Sequence, residues 1–314
     1  MNLRSLLVLF AAVLLFAAAC GDAEPSPVLS CRQAPPSTQA DASAFPVTVE
    51  DSTGDSVTLE APPSAIASLS AGHTEILYAL GAGGQVVAVD KTSDCPQAVS
   101  QLPQVDAFSP SAEAIAGLNA DLVVLFFGPA DLKQSLEQLG LKVLLLNSPE
   151  SVQGVYEQVT LLGRATGHAT AAEDLVERMQ DDIERLQDGL PDGEGPRVFH
   201  EIDSTYYTAG PGSFIGDLYS LLRARNIADA TGQAYPQISA EAIIQADPEV
   251  ILLADEDAGE SPATVAARPG WGEISAVKNA RVHVVDPDIV SRPGPRLVDA
   301  LQTLARLLYP EQFE

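Results

Sequence analysis

The chain has 314 residues, 46% of them hydrophobic and 19% charged, and a formal net charge of −26. That apolar content is enough for a buried core and excludes a disordered chain. So acidic a surface excludes nucleic acid and an anionic membrane face as the main partner, and otherwise reports only solvation.

In chain order, Arg4 gives a short positive start, and residues 6–19 form an unbroken apolar run ending in Ala17-Ala18-Ala19-Cys20-Gly21. This is the layout of a secretory signal over residues 1–19. A run of about 14 apolar residues is short for a spanning helix, which takes about 20. Cys20, directly after the small residues, resembles the cysteine of a bacterial lipobox, although Ala17 stands where leucine is usual. The resemblance implies a diacylglycerol on the Cys20 thiol and an extracytoplasmic, membrane-anchored protein; secretion without lipid is the alternative. Residues 20–45 are rich in Pro, Ser, Ala and Gln, show no apolar period, and read as a flexible tether. Of the three cysteines, Cys31 and Cys95 are left, either paired outside the cytoplasm or as two free thiols.

From residue 46 on, apolar β-branched runs alternate with helical patterns. Strands are predicted at 65–69, 86–89, 122–127 and 143–146, with helices at 74–80 and 132–139. The second half repeats the style, with strands at 197–202, 250–253 and 281–285 and helices at 214–223, 240–245 and 295–308. Such alternation predicts an α/β fold with mostly parallel sheets. Between the halves, residues 169–190 carry Leu175, Met179, Ile183 and Leu186 at helical spacing. At about 1.5 Å per residue this helix is roughly 30 Å long. The expected organisation is two Rossmann-like lobes, 46–168 and 191–314, bridged by that one long helix.

An internal repeat supports two equivalent lobes. Residues 111–125 read SAEAIAGLNADLVVL and residues 239–253 read SAEAIIQADPEVILL. Each copy is a serine-capped helix, a polar turn and a buried strand. Glu113 and Glu241 therefore sit in the first turn of matching helices. The helix dipole gives a purely structural reason for an acid there. The functional reading is a symmetric acidic pair offered to arginines of a two-fold symmetric partner.

The motifs SLSAGHTEILYALG (68–81), SPSAEAIAGLNADLVV (109–124), YPQISAEAIIQADPEVILL (235–253), RPGWGEISAVKNARVHVVD (268–286) and SRPGPRLVDAL (291–301) resemble those of one family over about residues 46–314. It is the helical-backbone, or class III, periplasmic binding proteins that serve siderophore, haem and vitamin B12 importers. Within it, the likeness is greatest to the members that bind vitamin B12. The resemblance implies a monomeric binding lipoprotein without resident cofactor or catalysis. Its cargo is a metal chelate, a corrinoid or a ferric siderophore, with haem as an alternative. Its partner is the dimeric permease of an ABC importer, on which Glu113 and Glu241 dock. It also implies cleft positions for Tyr207, Tyr235, Asp288 and Arg292, with Phe126 or Phe127 on the facing lobe. Aromatics would stack on a macrocycle while Asp288 and Arg292 hold polar groups at its edge.

Each aromatic has a plainer role open to it. On a strand one of Phe126 and Phe127 faces the core, and Tyr206 and Tyr207 point opposite ways. Trp271 either packs its lobe or touches ligand, and Arg292 either binds ligand or pairs with an acidic neighbour. His73 and His200 stand at or after strand ends, so a two-histidine site with Asp94 or Asp288 is the divalent-metal alternative. A lone His73 contacting ligand or haem iron is another. His168 and His283 complete the set, and none forms an H-x-H or H-E-x-x-H pair. An enzyme is not indicated. Gly212-Ser213 lacks nucleophile-elbow spacing, residues 210–216 depart from a dinucleotide loop with Pro211 inside, and there is no P-loop.

Overall fold

The structure, a computed structural model, describes residues 38–127 and 131–313. The expected signal peptide, Cys20 and Cys31 lie outside the described residues. The hairpin β1 (Val47–Glu50)–β2 (Ser56–Leu59) leads to β3 (Ile66–Leu69), α1 (Ala71–Ala79), β4 (Val86–Asp90), β5 (Gln104–Val105), α2 (Ala112–Ala116), β6 (Leu122–Leu125), α3 (Leu132–Gln138), β7 (Lys142–Leu145) and α4 (Val152–Thr166). The long α5 (Ala169–Asp188) follows. After it come β8 (Arg197–Glu201), α6 (Phe214–Leu221), β9 (Arg225–Asn226), α7 (Ala240–Ala246), β10 (Val250–Leu253), α8 (Pro262–Ala267), α9 (Ser275–Lys278), β11 (Val282–Val284), α10 (Pro287–Val290) and α11 (Leu297–Leu308).

The first sheet runs β5-β4-β3-β6-β7 and the second β9-β8-β10-β11, with every neighbouring pair parallel. Leaving out β5, the two orders are the same. β3, β6 and β10 are buried at every position, as the continuous apolar runs of two-sided parallel strands require. Their period of two sorts the core. Ile66, Leu122, Val124, Val198, Val250 and Leu252 point into one cluster shared by both sheets. Ala67, Val123 and Leu125 pack outward in the first lobe, and Phe199, Ile251 and Leu253 outward in the second.

The sequence repeat is also a repeat of conformation. Ser111 Oγ accepts from Ala114 N and Ser239 Oγ from Ala242 N, both at 3.2 Å. Asn119 and Asp247 take left-handed φ values of 55° and 47° at equivalent turn positions, residue types that tolerate that region. One residue before each strand, Asp121 accepts from Ser64 N at 2.8 Å and Glu249 from Arg197 N at 2.9 Å. Each carboxylate thus ties its own strand to the start of the neighbouring one.

Helix α5 buries Ala172, Leu175, Met179, Ile183 and Leu186, which contains the predicted stripe. It does not act alone. Helix α4, not anticipated from the sequence, packs along it so closely that a Cβ on Gly163 would sit 2.4 Å from Ala172 Cβ. Helix α11 adds Leu301 and Leu304 to the same shared cluster. The tether expectation also changes at its end. Residues 38–45 lie on the first lobe, with Thr38 N donating to Gly81 O at 3.0 Å and Asp41 N to Gly167 O at 2.8 Å. Both acceptors are glycines with positive φ, and a Cβ on Gly81 would meet Thr38 Oγ1 at 2.6 Å. Among the described residues no helix is long and apolar enough to cross a membrane.

Candidate ligand cleft

In both sheets the strand order reverses direction beside a central pair, β3–β6 and β8–β10, the point where parallel α/β sheets open a crevice at the carboxyl ends of their strands. A cleft of about 360 Å³ lies at that point of the first sheet, walled by the ends of β3, β4 and β6 and by residues of the segment 287–293 of the other lobe.

The first lobe supplies an aromatic wall. Phe126 and Phe127 both line the cleft. The expectation that one of them is core fails because β6 ends at Leu125, so the chain leaves the sheet before the alternation reaches them. Their rings meet edge to face at 5.3 Å, and Phe108 stands 5.2 Å from Phe127. Phe108 is 71% exposed and Phe127 38%, unusual exposure for such side chains outside a binding surface. Phe108 was not proposed as a site residue. Its loop is fixed by Asp106, whose Oδ1 accepts from Phe108 N at 3.1 Å and Ser109 N at 3.2 Å.

His73 forms part of the cleft wall at the start of α1, where Ser70 caps the helix. It is 2% exposed, and its ring stands edge-on to Phe126 at 6.3 Å. Its Nε2 lies 3.1 Å from Gln158 Oε1, while Gln158 Nε2 donates to Asn147 O at 2.6 Å. Burial pushes its pKa down to about 4, outweighing the pull of Gln158, so the ring is neutral at physiological pH.

The second lobe brings Asp288 and Arg292, but not as a free cation beside an acid. Arg292 pairs with Glu75 at 2.8 Å, Asp94 at 2.7 Å and Asp288 at 2.7 Å, and reaches Thr92 O at 3.3 Å. Arg292 therefore has acidic neighbours, and its guanidinium already meets three carboxylates where it lines the cleft. Glu75, on α1, also takes two bonds from Arg296, at 2.9 and 2.6 Å. Burial works against the charge on Arg292, but Glu75 and Asp94 outweigh it and hold its pKa above the usual range. Burial raises the pKa of Asp288 although Arg292 opposes it. Gly72 lets the segment carrying Arg292 approach α1, since a Cβ there would lie 2.4 Å from Pro293 O.

The remaining proposed residues are more scattered. Tyr207 and Tyr235 are 42% and 52% exposed and belong to adjacent segments tied by the bonds Thr208 N to Pro236 O and Gly210 N to Ala234 O. They stand beyond the end of β8 and do not line the 360 Å³ cavity. Trp271 is 1% exposed and packs on Phe199 and Tyr206, so it is core and not wall. Tyr206, with φ 68°, turns its ring onto Trp271, and the Arg268 guanidinium lies over both rings. Arg268 also binds Glu201 at 2.6 and 2.5 Å and Glu260 at 2.7 Å. Beside this group Asp255 is buried, its carboxyl set against that of Glu201. Burial, then the charges of Glu201 and Glu260, push its pKa up to about 6.

The four histidines do not meet. His168 starts α5 and reaches Thr38 O at 3.2 Å, while His200 is buried against Tyr219 at 2.6 Å. His283 lies on β11. Among the described residues no three His, Cys, Asp or Glu side chains converge on one point, so the two-histidine metal reading finds no cage there. Cys95 is disulfide-bonded. Glu113 and Glu241 are both exposed in the first turns of α2 and α7.

The protein is 35% identical over 280 residues to an uncharacterised ABC transporter substrate-binding lipoprotein of Bacillus subtilis, covering 86% of this chain and 88% of the relative. It is 30% identical over 292 residues to a cobalamin-binding protein of Halobacterium salinarum, covering 88% and 78%. The solved periplasmic heme-binding protein HutB of Vibrio cholerae superposes with a TM-score of 0.71 at 27% identity, covering 78% of this chain and 99% of that one. The family model described as periplasmic binding protein matches residues 66–289, from the first residue of β3 into α10. That stretch contains both parallel sheets and the cleft lining up to Asp288, and the chain belongs to the periplasmic binding protein family.

Proposed function

We propose that this protein is the extracytoplasmic substrate-binding lipoprotein of an ABC importer and that its cargo is a corrinoid. It binds without altering the ligand and hands it to a permease dimer through Glu113 and Glu241, one acid per lobe. The observation that carries the ligand choice is the neutralised arginine. Among the described residues lining the cleft Arg292 is the one cation, and it already serves Glu75, Asp94 and Asp288. A carboxylate-bearing ligand, such as haem with its two propionates, meets an acidic wall with no free positive partner, and burying an unpaired charge is costly. A corrinoid presents neutral amide groups at its rim, which donate to Asp288 and Asp94, while Phe108, Phe126 and Phe127 cover its apolar face. Calorimetric titration of the purified protein with cyanocobalamin, hemin and a ferric hydroxamate tests this. One-to-one cobalamin binding beside silence from the other two is expected. Heat from hemin or the siderophore, with none from cobalamin, would overturn the corrinoid reading and leave the family standing.

A further inference from the structure

The sequence holds three cysteines, Cys20, Cys31 and Cys95. Cys95 is buried and disulfide-bonded, so its partner is Cys20 or Cys31. A sulfur that carries a diacylglycerol cannot also join a disulfide, which leaves Cys31. The length of chain allows that pairing. Thr38 N donates to Gly81 O at 3.0 Å, just ahead of β4, so Thr38 marks the amino end of the first sheet. Cys95 belongs to the opposite end. It follows β4 and adjoins Asp94, whose carboxylate meets Arg292 at 2.7 Å beside the cleft. Strand β4 spans about 13 Å at about 3.3 Å per residue. The seven residues from Cys31 to Thr38 reach up to about 24 Å when extended, which covers the strand with length to spare.

We propose that Cys95 is bonded to Cys31 and that this bond, not residue 38, is where the membrane anchor takes hold of the domain. This rests on the lipoprotein reading. Forming the bond joins the two sulfurs and gives up two protons and two electrons, which a disulfide oxidant outside the cytoplasm accepts. Without it, eighteen residues separate Cys20 from Thr38, at the end of the sheet away from the cleft. With it, eleven residues run from Cys20 to Cys31 at the cleft rim, a root-mean-square reach of about 18 Å for a flexible chain. Glu113 follows the cleft-lining Phe108 by five residues and stands on the same rim. The anchor then pulls on the side of the molecule that carries a docking acid and turns that side toward the membrane.

The test exploits Arg32, the one basic residue between Cys20 and Lys91. Membranes from bacteria expressing the full chain are treated with trypsin, which cuts after Arg32, and are then pelleted with and without dithiothreitol. A reducing gel reports the cut, and immunoblotting follows the domain. In the wild type the cut domain is expected to stay in the pellet, held through Cys31 and Cys95, and to be released only by the reductant. In the Cys31→Ser variant trypsin alone is expected to release it. Release of the cut wild-type domain without reductant would overturn the pairing and leave the lipoprotein reading intact. If the uncut wild type is not found in the membrane pellet at all, the lipoprotein reading fails. Mass spectrometry of the unreduced digest then decides the pairing by itself. A Cys31 peptide joined to a Cys95 peptide upholds the bond, and a Cys20 peptide joined to it overturns the proposal.

Discussion

Replacing Glu75 with alanine removes the centre of the ionic cluster between the lobes. Its carboxylate is 4% exposed and receives Arg292 at 2.8 Å and Arg296 at 2.9 and 2.6 Å. The two guanidiniums have side-chain exposures of only 9% and 11%, so water cannot simply replace the lost partner. Breaking a buried pair from one side costs about 3–5 kcal/mol. Asp94 and Asp288 still hold Arg292, which places the expected loss near the lower end, about 3 kcal/mol. For a chain of this size that lowers Tm by roughly 5 °C. Urea unfolding and scanning calorimetry read both quantities. Glu75→Gln, which keeps the volume and loses the charge, is expected to lose more than half as much. Because the pair is buried, raising salt is expected to change the loss little. A cost under about 1 kcal/mol, the range of exposed pairs, would refute the argument that this cluster is a buried junction.

The paired variant Glu113→Ala with Glu241→Ala is expected to abolish uptake in cells while calorimetry finds ligand affinity unchanged; normal uptake would remove the docking role. Asp255→Asn tests the buried carboxyl beside Glu201. Its folded pKa, about 6, lies above the ordinary carboxylate value of about 3.9. The folded state thus holds a proton that the unfolded chain releases, and stability is lost as pH rises between those values. The asparagine variant is expected to gain on the parent in Tm from about pH 4 to pH 6 and to stay ahead above that; an equal difference at both ends would count against it.

Much of the scaffold was legible because parallel strands buried on both faces leave continuous apolar runs, as in residues 122–125 and 250–253. The repeat showed the equivalence of the lobes before any contact was known. Helix α4 was missed because Gly154 and Gly163 interrupt its pattern. Gly163 serves a contact with α5 that no local window contains. The β1–β2 hairpin pairs threonines on its outer face, exposed Thr48 with half-buried Thr58 at 2.9 Å, and gives a weak signal. The cleft was legible in parts. The Phe126–Phe127 pair was found, but its direction depended on where β6 stops. An acidic neighbour for Arg292 was foreseeable, but Glu75 as that neighbour was not, since it lies more than two hundred residues away in sequence. The role of Gln158 likewise needed α4 to be placed.

The apolar cluster shared by both sheets has a consequence for how the molecule comes apart. Met179 from α5, Leu162 from α4, Leu218 from α6 and Leu301 from α11 lie in one cluster with strand residues of both lobes. Neither lobe can unfold without uncovering the other's inner face. Calorimetry should therefore record one endotherm, not two, and either half expressed alone should present a broad greasy flank and aggregate. The repeat visible in the sequence is thus expected to melt as a single cooperative unit.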